Sequence, residues 1–283
     1  MKTLIFVSSH SSSKPAVQFG GLIARQAQSS VTLLTVIDDV QHLDAAHQFL
    51  DTAGRWAPDL DVDRSIRTGT EIHCILEEIN DGNYDLIILK ACQAARIKDF
   101  LTTKIERRVA QQSPISVLVV KQKQPKLDRI LICTSGVDIA DPVIEMGAWL
   151  AQLTQAKVTL LHVTGSIPYM YTGVGKIQEY LPEILQTDTP MARHLRQAAN
   201  ILAQAKVDAE LELRHGSVSD EILMEARTGN YDLILLGASK VSTNLAGWLM
   251  GDITYQIINA ARCSILVVRK PKSQVERKTK ENN

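Results

Sequence analysis

Apolar residues along the chain gather in short unbroken runs, and between these runs apolar positions recur every three or four residues. The runs read as buried strands and the spaced stretches as amphipathic helices. In order, 3–7 predicts a strand, 8–13 a polar loop, and Pro15 the first turn of a helix ending near Gln28. A strand follows at 31–37, then a helix at 40–56 with Leu43, Ala46, His47 and Leu50 on one face. Residues 62–66 alternate and predict an edge strand, 70–80 a helix and 84–89 a buried strand. A helix over 97–112 carries Ile97, Leu101, Ile105 and Val109, and 115–120 is a last strand. After the polar run 122–126 the order begins again. Strands are predicted at 129–133, 157–163, 209–214, 231–236 and 264–268, and helices at 142–155, 188–206, 219–228 and 248–260.

The second series is a copy of the first. Gly82-Asn83-Tyr84-Asp85-Leu86-Ile87 returns as Gly229-Asn230-Tyr231-Asp232-Leu233-Ile234, and Arg67 and Gly69 return as Arg214 and Gly216, all 147 positions on. Val31-Thr32-Leu33-Leu34 returns as Val158-Thr159-Leu160-Leu161 after only 127. The second copy therefore carries about 20 extra residues near 165–184, between its second and third strands. So long a period marks a domain duplication, since solenoid repeats run at about 20 to 50 residues. The division is 1–124, a linker at 125–127, a second domain at 128–270 and a charged tail at 271–283. Alternating strands and helices with buried central strands imply an α/β protein: two tandem open parallel sheets with helices on both faces. The extra piece, with Ile167, Tyr169, Met170 and Tyr171, is read as filling a groove between the halves, the alternative being cover over a pocket. The apolar last strands are expected to pair the two copies as an internal pseudo-dimer, because open edges there invite uncontrolled pairing.

Composition narrows the partners. Lys plus Arg and Asp plus Glu both number 31, so the net charge is zero and nothing favours nucleic acid. Four cysteines fall in no CxxC or metal-ligand pattern; Cys133 and Cys263, inside apolar runs, are read as buried thiols. No run of 18 apolar residues occurs and the first ten residues are too short for a signal segment, so the expectation is a cytoplasmic protein without a membrane span. Of seven histidines only His42 and His47 approach ligand spacing, and on a helix five positions place them about 140° apart, so no metal site is expected.

Candidate chemistry concentrates at 233–254. An apolar strand ends at Gly237, and Gly251-Asp252 lies near the front of the next predicted helix. In open parallel sheets, ligands bind beyond the carboxyl ends of the strands, and helix starts suit anionic oxygens. A phosphate-bearing ligand is the candidate. The nine-element order, the repeated GNYDLI stretch, Gly237 and a terminal apolar strand followed by basic residues together resemble the universal stress protein family, as a tandem member, with its adenine nucleotide α-hydrolase-like fold. Nucleotide-binding members hold ATP phosphates with Gly-x-x-Gly, nine residues, then Gly followed by Ser or Thr. The second copy keeps Gly237, has Ser239 inside the motif, puts Lys240 at the second glycine, leaves ten residues, and follows Gly251 with Asp252, Thr254 standing one step later. By the resemblance, Ser135 borders the ribose and the backbone of Val163 meets adenine. Asp252 repels a phosphate directly over it, so ATP would need Mg²⁺, whereas AMP and ADP would suffer less. Lys90 stands where the second copy has Gly237, and no nucleotide site is expected in 1–124.

Ser135-Gly136-Val137-Asp138 is a poor match to the pyrophosphate loop of adenylating enzymes, and no nucleophile-and-base pair stands out. Catalysis beyond weak ATP hydrolysis is not expected. The expectation is a stress-response protein with a regulatory adenine nucleotide in its second half. The alternative is a nucleotide-free interaction or scaffold protein of the same fold, and an adenylating enzyme comes last. Homodimerisation is carried by the resemblance alone.

Overall fold

The computed structural model describes residues 1–8, 13–91, 105–122, 126–135, 141–165, 177–238 and 245–270. The chain divides into two compact units, the first formed by Met1–Lys126 with Arg269 and Lys270, the second by Leu127–Val268.

In the first unit the elements run β1 (Lys2–Phe6), α1 (Lys14–Gln26), β2 (Ser30–Ile37), α2 (Leu43–Gly54), β3 (Val62–Thr68), α3 (Glu71–Asp81), β4 (Leu86–Lys90), α4 (Ile105–Gln112) and β5 (Ser116–Val120). The strands are parallel, in the order β3-β2-β1-β4-β5. The second unit has β6 (Arg129–Thr134), α5 (Asp141–Thr154), β7 (Lys157–Thr164), α6 (Leu181–Ile184), α7 (Pro190–Gln204), β8 (Ala209–His215), α8 (Val218–Thr228), β9 (Leu233–Gly237), α9 (Leu245–Ala260) and β10 (Ser264–Val268). Its order, β8-β7-β6-β9-β10, is also all parallel and repeats the first. In both, the direction of winding reverses beside the first strand, and the carboxyl ends there are where open parallel sheets bind ligands.

The repeated sequence stretches prove to be folding devices. Arg67 donates to Glu78 at 2.7 Å and to Asp81 at 2.7 Å, and Tyr84 donates to the other Glu78 oxygen at 2.8 Å. Arg214 likewise donates to Glu225, and Tyr231 donates to Glu225 at 2.7 Å. Burial would raise the Glu78 carboxyl, but the bonds from Arg67, Tyr84 and Ser65 outweigh it and hold the group below its ordinary range. Burial chiefly, with the adjoining glutamate, pushes both tyrosines up to about 12. Gly82 and Gly229 precede the tyrosines because a Cβ at either would lie 2.1 Å from the ring. Asn83 and Asn230 take left-handed φ of 50° and 51° to turn the chain. Asp85 and Asp232 then accept the backbone N–H groups of Lys2 and Arg129, which sets the register of the strand pair.

Some predicted elements shift. The helix expected at 40–56 is a short 3-10 turn, Val40–His42, followed by α2. Its buried stripe is Ala46, Leu50 and Ala53, so Leu43 and His47 lie at the surface. The face is the expected one but narrower, because Leu43 stands at the first position of α2 and His47 at the border of the stripe. The helix predicted at 248–260 begins at Leu245. Ile97 and Leu101 lie outside the described residues. Cys133 and Cys263 are buried as expected, and burial pushes the Cys133 thiol up.

The described part of the extra piece is a 3-10 turn, Ile177–Tyr180, and α6. Ile177, Leu181 and Ile184 pack with Leu195 of α7 and Leu213 of β8. Gln178 accepts from Leu213 N–H at 2.6 Å and donates to the Leu211 carbonyl at 3.1 Å. A side-chain amide thus supplies the hydrogen bonds that a neighbouring strand would give to the edge of β8.

Candidate functional site

In the second unit the candidate site is the carboxyl ends of β6, β7 and β9. Ser135 follows β6 and is exposed, and Val163 is half-buried near the end of β7, opposite Arg214 of β8. The Thr164 carbonyl beside it accepts from Gly216 N–H at 3.2 Å and from His215 Nδ1 at 3.1 Å. Gly237 is the last residue of β9, opposite Val268. Its backbone is not left-handed, so its glycine character serves space rather than a turn. A Cβ there would stand 3.2 Å from Val143 of α5. Gly251 and Asp252 fall well inside α9, which begins at Leu245. Free helix N–H groups belong to the first turn, so anion contacts from this helix fall there rather than at Gly251. Thr254 is half-buried in α9, and Ser239 and Lys240 lie outside the described residues.

A buried polar cluster that the sequence reading missed lines the same end of the sheet. His162 Nδ1 donates to the Thr134 carbonyl at 3.1 Å, and His194 of α7 meets the Thr134 hydroxyl. The two imidazoles are 6.1 Å apart between ring centres. Burial lowers the His162 pKa, the bond to Thr134 opposes this, and His194 adds to the lowering. No sequence pattern linked the three, because His194 arrives on a helix 60 positions beyond Thr134.

The first unit differs at the same places. Lys90 ends β4 where Gly237 ends β9, and its ammonium donates to the carbonyls of Ala91 at 3.0 Å and Lys121 at 2.9 Å. Val7 and Thr35 occupy the positions of Thr134 and His162. Beside them, between the ends of β2 and β3 and helix α2, opens a cavity of about 590 Å³. The sequence reading picked none of its lining residues as a binding group. Among the described residues no group of three or more His, Cys, Asp and Glu gathers as a metal site, and no helix is long and apolar enough to cross a membrane.

Comparison with known proteins agrees with this architecture. A model of the universal stress protein family matches residues 1–121 and again 126–269. A universal stress protein of Methanocaldococcus jannaschii is 24% identical over 156 residues, 55% of this chain and 90% of that one. A universal stress protein E homolog of Haemophilus influenzae is 22% identical over 246 residues, 82% of this chain and 77% of that one. The solved structure of a universal stress protein from Archaeoglobus fulgidus shares the fold, with a TM-score of 0.70 at 14% identity, over 96% of this chain and 97% of the other. With the family model matching both halves, the chain belongs to the universal stress protein family and carries the family domain twice in tandem.

Proposed function

We propose that this protein is a regulatory adenine-nucleotide-binding protein with one nucleotide site per chain, in the crevice of the second unit. The observation that carries the reading is the contrast between Gly237 and Lys90 at the ends of equivalent strands. Gly237 ends β9 with no side chain, and even a Cβ there would be pressed to 3.2 Å from Val143, whereas the Lys90 chain fills the end of β4 and is held by two carbonyls. In this reading the Val163 backbone meets the base and Ser135 the ribose. The phosphates lie beyond Gly237 toward the first turn of α9, with Ser239 and Lys240 of the motif as donors, and Thr254, deep in that helix, takes no part. AMP, ADP and Mg-ATP are the candidate ligands, since Asp252 falls inside α9 and away from its first turn.

Calorimetric titration of AMP, ADP and Mg-ATP against the intact chain and a Gly237→Lys variant tests it. One site per chain is expected, weakened at least about tenfold in the variant, which fills the space a phosphate needs. Two equivalent sites, or a variant that binds as well as the parent, would remove the assignment. Absence of binding to all three would turn the reading to a nucleotide-free scaffold.

A further inference from the structure

We propose that the cavity of the first unit binds a flat aromatic cation, a ligand of opposite charge to the nucleotide assigned to the second unit. The cavity of about 590 Å³ lies beyond the carboxyl ends of β2 and β3, in the size range of small-molecule sites. One wall is apolar, made by Val36, Ala46 and the ring of Phe49. That ring is braced by Trp56, edge-on at 6.2 Å between centres and 79° between planes, so it offers a fixed aromatic surface. A cation is attracted to the face of such a ring, and a flat one also covers the apolar wall.

The polar rim has the matching sign. Asp38 and Glu71 line the cavity, and the described lining residues include no Lys or Arg. The one basic group among them, His42, is already turned to Asp38, with Nδ1 3.0 Å from its carboxylate. The Asp38 backbone and His42 together hold the Asp38 carboxyl below its ordinary range, so it stays charged at neutral pH. Glu71 has one weak contact on the same side, from the Ser8 hydroxyl at 3.4 Å. Asp38, exposed at the rim, and Glu71 make the mouth acidic beside an apolar wall, which disfavours a phosphate and favours a ligand that brings positive charge and N–H donors. The rim is shaped by Gly69, whose φ of +140° directs its N–H to the Ile37 carbonyl at 2.9 Å and ties the ends of the two strands together.

The test uses the full chain, with proflavine as the flat aromatic cation and 2-anthracenesulfonate as a flat anion of similar size, followed by fluorescence titration. Proflavine is expected to bind once per chain, and the anion not at all. The double variant Asp38→Asn, Glu71→Gln is expected to weaken proflavine about threefold at low salt. Ala45→Trp, from an exposed position on α2 that lines the cavity, is expected to abolish binding by filling it. Circular dichroism melts establish that the variants are folded, so that a loss reports the site. Saturating AMP should leave proflavine bound, as should Gly237→Lys, which separates this inference from the nucleotide assignment. Lack of proflavine binding, equal binding of the anion, or displacement by AMP would overturn it. So would binding unchanged in Ala45→Trp or in the double variant.

Discussion

The two units share a strand order and an interior network but differ where their sheets open. Arg67, Glu78, Tyr84 and Asp85 correspond to Arg214, Glu225, Tyr231 and Asp232, and they make the same kinds of bond in each half. The crevice positions changed: Lys90 against Gly237, Val7 against Thr134, Thr35 against His162. So did the sheet edges. In the first unit β3 carries charges, with Arg64 paired to Asp51 at 2.9 Å, whereas β8 of the second is covered by Gln178 and α6. The interior network compensates a buried carboxylate, and altering one member leaves the others unsatisfied. The crevice positions are buried groups without a fixed charge or, at Lys90 and Gly237, half-buried strand ends, so their replacement leaves no charge stranded in the core.

The largest expected effect tests the shared part. Arg67→Ala and Arg214→Ala should each cost about 3 kcal/mol, because each leaves a mostly buried glutamate without its cation. Urea unfolding of the two variants should give similar losses, and a large loss in only one half would break the equivalence. Gly82→Ala and Gly229→Ala should likewise destabilise both halves alike, since a Cβ at 2.1 Å from the tyrosine ring forces the ring to move.

A smaller effect sharpens the difference at the edges. Gln178→Ala should cost about 1 kcal/mol and expose the Leu213 amide, whose partner it removes. Hydrogen exchange should show Leu213 protected in the parent and released in the variant, while Ile66, its counterpart in β3, exchanges quickly in both. Equal protection of Leu213 and Ile66 in the parent would refute this distinction between edges.

The smallest effect is pH-dependent and confined to the second unit. The folded pKa of His162 lies below its ordinary 6.5, so the unfolded chain takes up the proton first. The stabilisation is complete above the unfolded value and is lost as pH falls from there through the lower folded value. His162→Thr, which copies Thr35, should flatten that part of a melting-temperature profile recorded from pH 7.5 to 5. A profile that keeps its slope in the variant would assign the dependence to another group.

Much of the fold was legible because the patterns are local. Four or five consecutive apolar residues, as in Leu233–Gly237, have few alternatives to a buried strand, and a stretch repeated at 147 positions reveals the duplication without structural knowledge. The role of that stretch was not legible. Tyr84 was read as part of a strand, yet its ring packs over Gly82 and reaches Glu78, a residue brought there by the turn of α3. Gly237 ends β9 as the apolar run predicts, but its backbone is ordinary and what distinguishes it is the close approach of Val143, 3.2 Å from where a Cβ would stand.

By itself the sequence determined the alternation of strands and helices, the duplication and the contrast between Lys90 and Gly237, since each depends on residue type along a short stretch. The cluster of Thr134, His162 and His194, the cover that Gln178 gives to β8 and the cavity between Asp38, Phe49 and Glu71 were decided by the tertiary structure. Each joins groups from separate elements whose distance is set by how strands order and helices pack, and spacing along the chain carries no measure of that distance.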